Sequence, residues 1–108
     1  MAKYCLSSYS IPELFKLLQQ EQAERICLKV GSQPSLAIKG QDFEIEGPVI
    51  EEKTVEELLK TVADTRQMRV IRRSSCVNIV HKIAETNCLI RVINAVGYFS
   101  IELHSIKT

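Results

Sequence analysis

The chain has 108 residues, of which 45% are hydrophobic and 25% charged, and its formal net charge at pH 7 is +1. This length predicts one domain, residues 1–108, with a core of its own. The small net charge does not favour bulk attraction to nucleic acid or membrane surfaces, and no apolar run approaches the roughly 20 residues of a membrane-spanning helix. No signal-peptide pattern follows Lys3, so a cytoplasmic location is expected.

The first predicted element is an amphipathic helix that begins after Ser10 and runs to about Ala23. Ser10 is a suitable N-cap, and Pro12 and Glu13 fall in the first turn, where each is favourable. Apolar residues recur with helical spacing and form one face: Ile11, Leu14, Phe15 and Leu18.

Three short strands are predicted next, because the hydrophobic period changes from helical spacing to two. Apolar and polar residues alternate over 25–30, 35–39 and 42–46, and glycine or proline stands between these runs. Such alternation is typical of an antiparallel sheet with one buried face and one wet face.

Two further helices are predicted in the middle of the chain. The run Thr54-Val-Glu-Glu57 has the form of a capping box and predicts a helix start at Thr54. A shorter helix over Arg66–Arg73 has Asp64 or Thr65 as its cap and a buried side on Met68 and Ile71.

Alternating strands fill the rest of the chain, with a hairpin predicted at residues 95–97, where Gly97 supplies a positive φ angle. The predicted fold is therefore α+β: a single, mainly antiparallel sheet of about six strands with helices packed on one face. The predicted core joins two sets of side chains from the sheet and the helices: Ile26, Leu28, Val30, Phe99, Ile101 and Leu103 against Leu14, Leu18, Leu58 and Val62.

Motifs of the common enzyme classes are absent from the sequence. It has no G-x-x-x-x-G-K-[ST] phosphate loop, no G-x-G-x-x-G and no H-E-x-x-H, and neither His81 nor His104 has an acidic residue at catalytic-looking spacing. Cys76, His81, Cys88 and His104 are conceivable zinc ligands, but their spacing matches no ordinary finger or ribbon. We therefore predict no catalytic activity, no cofactor, and free thiols in a reducing compartment.

Charge is segregated along the chain. Acidic residues dominate from Asp42 to Asp64, and basic residues dominate from Arg66 to Arg91. Arg66, Arg69 and Arg73 share one helix face, which is either a site for an anion or an acidic partner, one half of a head-to-tail contact between copies, or a solvated surface. Aromatic residues do not interleave with the arginines, so nucleic acid is not an expected partner.

The order and spacing of several short segments resemble the N-terminal domain of the PilT-like ATPases, the motors of type IV pilus retraction and type II secretion. The resemblance covers roughly residues 11–106. Its motifs, in chain order, are Arg25-Ile-Cys-Leu28, Gly31-Ser-Gln-Pro34, Leu36-Ala-Ile-Lys-Gly40, Thr54-Val-Glu-Glu57 and Leu89-Ile-Arg-Val92.

This resemblance implies a PAS-like domain, which in the motors packs on the ATPase domain of a neighbouring subunit in a hexamer. Arginines at the rim of that domain reach nucleotide phosphates, and Arg91 is the best counterpart here. The chain departs from the family pattern where Arg25 and Cys27 replace an aspartate and a histidine, and where Ala37 replaces an arginine.

The resemblance and the missing phosphate loop together predict a non-catalytic interaction or regulatory module. Its expected partner is a protein, with a pilus or secretion ATPase as the first candidate, and twitching motility as a process in which such a module would act. Two alternatives remain open at this stage: a PAS-like sensor of a small ligand or nucleotide, and a stand-alone domain that forms a weak homo-oligomer. The residues predicted to contact a partner or anion are Arg66, Arg69, Arg73 and Arg91.

Overall fold

The computed structural model of the chain describes residues 4–5, 8–95 and 98–106. Over these ranges it has three helices, namely α1 (Ile11–Gln20), α2 (Glu52–Lys60) and α3 (Thr65–Arg73). The strands of the same ranges are β1 (Tyr4–Cys5), β2 (Arg25–Lys29), β3 (Ser35–Ile38), β4 (Gln41–Glu46), β5 (Cys76–Ile83), β6 (Thr86–Ala95) and β7 (Tyr98–Ser105).

All described strands form one sheet in the order β1-β4-β3-β2-β7-β6-β5. Two antiparallel meanders, β2-β3-β4 and β5-β6-β7, join where β2 pairs with β7 in a register that runs from Arg25 opposite His104 to Lys29 opposite Ser100. The strand β1 adds a parallel pairing at Ile45 and Glu46 of β4, which was not predicted. The predicted α+β fold with a mainly antiparallel sheet is confirmed.

The helices cover one face of the sheet and enclose the hydrophobic core. α1 packs on β2 and β7, α2 on β7, and α3 on β5 and β6. Most of the predicted core is confirmed, since these residues are buried: Leu14, Leu18, Ile26, Leu28, Leu58, Ile101 and Leu103. Val30, Val62 and Phe99 are only half-buried at its margin.

The start of α1 agrees with the sequence, and its end does not. The hydroxyl of Ser10 accepts a hydrogen bond from the Glu13 amide at 3.3 Å, so Ser10 is the N-cap. The helix ends at Gln20 rather than near Ala23, because Gln22 adopts a left-handed φ of 53°. The Ala23 amide then bonds back to the Leu18 carbonyl at 2.9 Å, which turns the chain into β2.

The predicted start of α2 at Thr54 is wrong. The helix begins at Glu52, its N-cap is Glu51, and that cap makes no side-chain hydrogen bond, so Thr54 lies inside the helix. The cause is a tertiary contact: Ile50 is buried and bonds through its amide to Ser32 at 2.9 Å and through its carbonyl to Gly31 at 2.8 Å. These bonds hold the chain at Ile50 in an extended conformation, and the helix begins directly after this segment.

The other face of the sheet, which we call the open face, has no described helix on it. Alternate residues of β2, β5, β6 and β7 point to this face, and most are polar: Arg25, Cys27, Lys29, Asn78, Arg91, Glu102 and His104. The hairpin predicted at residues 95–97 lies partly outside the described residues. The open face and the outer surface of the helix layer are therefore the two surfaces on which a site can form.

Candidate functional site

The outer side of α3 carries the predicted arginine cluster. Asp64 caps this helix by accepting from the Gln67 amide at 2.8 Å, while the Gln67 side chain accepts from the Asp64 amide at 2.9 Å. Met68 and Ile71 are buried and fix the rotation of the helix about its axis. The opposite side therefore faces solvent, and Arg66, Arg69 and Arg73 are all exposed there.

The α3 arginines have no acidic partner in the described part of the chain. The ion pairs found there are Lys53 with Glu57 at 4.0 Å and His104 with Glu102 at 3.1 Å. The acidic segment of the chain thus does not neutralise α3 by direct contact within the monomer. Three unpaired guanidinium groups on one helix face form a surface that favours an external anion or carboxylate.

Arg91 lies elsewhere, on the open face of β6. Its register partners are Asn78 on β5 and Glu102 on β7, and its Nε donates to the Cys76 Sγ at 3.4 Å. The hydrogen bond to Cys76 and, more weakly, the charge of Glu102 raise the pKa of Arg91 above its ordinary value. The four predicted contact residues therefore divide between two surfaces, with the sheet between them.

A shallow cavity of about 430 Å³ lies on the open face, where β2 and β7 meet. Charged side chains of both signs line it, so it is neither an apolar pocket nor a simple anion hole. Its lining residues from the central strands are Arg25, Cys27, Lys29, Arg91, Glu102 and His104.

Glu102 is the lining residue that connects β2, β6 and β7. It is opposite Cys27 on one side and Arg91 on the other, and its Oε1 lies 3.1 Å from the His104 Nε2. The spacing of acids and histidines along the chain did not identify Glu102 as the acidic neighbour of His104. Two residues of one strand that are two positions apart share a face, so the period-two pattern of β7 was the signal that would have found it.

The conceivable zinc ligands do not come together. Cys76 and His104 lie on the open face, whereas His81 and Cys88 are paired across β5 and β6 on the covered face. No group of three or more potential metal ligands exists among the residues that the structure describes. Burial raises the pKa of the Cys88 thiol to about 11, which makes it an inert part of the core.

None of the helices in the described ranges has the length and apolar character to cross a membrane.

Comparison with known protein families and with curated sequences gives no match. Solved structures do match. The pilus retraction motor PilT, crystallised with ADP, superposes with a TM-score of 0.76 at 18% identity, over 94% of this chain and 30% of that chain.

Two further similar structures are ATPases named DotB. The Legionella pneumophila protein matches with a TM-score of 0.76 at 10% identity, over 97% of this chain and 32% of its own. The Yersinia pseudotuberculosis protein matches with a TM-score of 0.69 at 15% identity, over 98% and 32%. The chain thus spans only 30–32% of the length of these ATPases, and the resemblance predicted from the sequence is confirmed at the level of the fold.

Proposed function

We propose that this chain is a non-catalytic interaction or regulatory module, related to the N-terminal domain of type IV pilus and type II secretion motors. The observation that carries the proposal is the outer side of α3, where Arg66, Arg69 and Arg73 are exposed and unpaired within the described residues. Its partner is a protein with an acidic surface, and a pilus or secretion ATPase in the cytoplasm is the candidate that the shared fold favours.

The proposal includes the absence of ATP hydrolysis by the chain itself. The 108 residues contain no phosphate loop to cradle the β- and γ-phosphates. Magnesium-dependent ATP turnover by the pure protein, abolished by a point change in this chain, would overturn this part.

Binding to a purified PilT-type motor, followed by biolayer interferometry, tests the interaction. We expect Arg69→Glu combined with Arg73→Glu to weaken binding mainly through the association rate, because exposed charges steer the encounter. The matched control is Lys53→Glu with Lys60→Glu, which makes the same change of charge on the exposed side of α2. Equal effects of both double variants, or no binding by the unmodified chain, would contradict the proposal.

A second candidate function is a small-ligand sensor, which the cavity around Glu102 favours. Its mixed charges fit a zwitterionic or anionic metabolite. Native mass spectrometry of the purified protein distinguishes this candidate, because a retained small molecule that is lost in Arg91→Ala would favour the sensor over the module.

Self-association is the third candidate. It is supported by the charge pattern, because the acids of β4 and the arginines of α3 lie toward opposite ends of the sheet. Sedimentation velocity at rising protein concentration would detect it as a salt-sensitive increase in mass.

A further inference from the structure

The two ends of the sheet differ in how their outer edges are covered. At one end, β1 pairs with Ile45 and Glu46 and covers part of the β4 edge. At the other end, β5 is the last strand, and its outer edge is unpaired within the part of the chain that the structure describes. An uncovered edge offers main-chain donors and acceptors that another extended chain can use.

Two hydrogen bonds identify the residues of β5 whose main-chain groups point outward. The Asn94 amide bonds to the Ser75 carbonyl at 2.9 Å, so residues 75 and 94 form a hydrogen-bonded pair of the antiparallel ladder. On the other side of β6, the Ile106 amide bonds to the Asn87 carbonyl at 3.5 Å, which gives the same alternation along β6. Because hydrogen-bonded and non-hydrogen-bonded pairs alternate, the residues that direct N–H and C=O away from β6 are Cys76, Asn78, Val80 and Lys82.

The β5 edge lacks most of the features by which proteins protect such edges. Its register with β6 is continuous from Cys76 to Ile83, so it has no bulge, and it contains no proline. Lys82 is the one charged residue among its outward positions, and Val80, at the middle, is 60% exposed. A continuous, weakly charged edge of this length accepts an added strand.

The charge of the residues around β5 indicates which kind of strand would bind to its outer edge. α3 packs over β5 and β6 on the covered face of the sheet, and residues 65–83, which contain α3 and β5, hold five lysine and arginine residues and no acidic one. An acidic segment is therefore attracted. A second copy joined through the same edge would place two basic segments side by side, which opposes that arrangement.

We propose that the outer edge of β5 accepts an acidic, extended segment of a partner protein as an additional strand of the sheet. The inference rests on the proposed interaction function and names the surface and the chemistry of the partner. Main-chain hydrogen bonds to Asn78 and Val80 supply the affinity, Lys82 on the edge itself favours acidic side chains, and the positive charge of α3 attracts the acidic segment during the encounter. Residues 65–83 contain no phenylalanine, tyrosine or tryptophan on which bases would stack, so peptide is favoured over single-stranded nucleic acid.

The test uses a synthetic peptide of alternating valine and glutamate, with a valine–lysine peptide of the same length as control. Val80→Pro removes an outward N–H without touching the ladder to β6, and proline is tolerated on edge strands. Val80→Ala is the matched control, because it removes the same exposed side chain but keeps the N–H. By fluorescence anisotropy we expect Val80→Ala to bind within about threefold of the unmodified chain and Val80→Pro to bind about tenfold more weakly or worse.

Amide hydrogen exchange of the unmodified chain, followed by NMR, keeps the test valid if Val80→Pro does not fold. The glutamate peptide should slow exchange at Cys76, Asn78, Val80 and Lys82, and the lysine peptide should not. Three results would each overturn the proposal. The proline and alanine variants bind equally, the glutamate peptide slows exchange only at amides around the cavity on β2 and β7, or an oligothymidylate of equal charge gives the same protection at β5. Motor binding without β5 protection would overturn this inference alone, whereas peptide binding at β5 without any motor binding would contradict the proposed function alone.

Discussion

The two edges of this sheet share one hydrophobic core but differ in charge and in covering. β4 carries three acids and no base, and β1 pairs with part of its outer edge. Among the described residues, the outer edge of β5 is unpaired, and the four arginines of α3, which packs on β5 and β6, have no ion-pair partner. The difference teaches that the parts that stabilise the fold and the part proposed to bind a partner are separate: the joined central strands carry most of the core, and the proposed contact lies at the basic edge.

The largest expected effect is the loss of stability when a side chain at the centre of the sheet is truncated, compared with truncation at its edge. Leu28 is fully buried on β2 opposite Ile101, so Leu28→Ala should lower the free energy of unfolding by about 2–5 kcal/mol through lost burial and a residual cavity. Val80→Ala at the exposed edge should change it by less than about 0.5 kcal/mol. Urea unfolding measures both, and similar losses would show that the edge is as essential to folding as the centre.

The two helix starts provide the next comparison. Asp64 caps α3 through a hydrogen bond to Gln67, so Asp64→Ala should destabilise the protein by about 0.5–2 kcal/mol. Thr54 lies inside α2 and caps nothing, so Thr54→Ala should have only a small effect, about that of an ordinary surface change within 0.5 kcal/mol. Thermal or urea unfolding of both variants checks this. A larger loss of stability in Thr54→Ala than in Asp64→Ala would mean that Thr54 caps α2, as the sequence predicts.

These two helix starts also explain how far the sequence predicts the fold. Alternation with period two located β2, β3 and β4, because each places apolar side chains on the covered face. In β3 the small side chain of Ala37, on the other face, is buried as well. A local capping signal worked at Asp64, where nothing else competes, but failed at Thr54, where the main-chain bonds of Ile50 to a distant loop decide the boundary. Local patterns do not contain such long-range contacts.

Non-local pairing accounts for the remaining differences. β1 is two residues long and exists only through its contact with β4, so its own sequence carries no strand signal. Ala84 and Glu85 make the turn between β5 and β6 with positive φ angles of 46° and 68°, although neither is a residue typical of such turns. For the candidate site, helical spacing predicted the arginine face of α3, while the pairing of β2 with β7, which forms the cavity beside Arg91, was not predictable from spacing.

A smaller effect is a loss of stability at alkaline pH, which we expect from the buried thiol of Cys88 on the covered face and not from the exposed edge. Cys88 is buried and its pKa is raised from 9.0 to about 11, so the folded state holds the thiol proton more tightly than the unfolded state. This contribution to stability is fully present below about pH 9 and is lost as the pH rises toward 11. Urea unfolding at several pH values should show this loss in the unmodified protein and a shallower loss in Cys88→Ala.

Alkylation gives an independent measure of the same difference. Iodoacetamide should modify the exposed Cys76 quickly and Cys88 only on unfolding, as read by peptide mass spectrometry. Fast labelling of Cys88 in the folded protein would show that this part of the core opens easily. Identical pH profiles of unfolding for the unmodified protein and Cys88→Ala would show that the fold does not hold the Cys88 proton more tightly.

The smallest energetic effect concerns charge at the two edges. Exposed ion pairs contribute only about 0–1 kcal/mol each, so neither Arg69→Glu with Arg73→Glu nor Asp42→Lys with Glu44→Lys should change stability much. Only the α3 pair should slow association with a partner, and 1 M salt should reproduce that effect by screening charges beyond about 3 Å. Surface plasmon resonance at two salt concentrations measures it, and equal sensitivity at the acidic edge would remove the distinction between the two.

The central claim is that the chain binds a motor through α3 and β5. Its most direct test is hydrogen exchange of the full chain, measured alone and with a saturating amount of a purified PilT-type motor. We predict slower exchange in α3 and β5, together with unchanged exchange in β4 at the acidic edge. Protection at β4 instead, or no protection in any part of the chain although the motor is present at saturating concentration, would contradict an interaction module that binds through its basic edge.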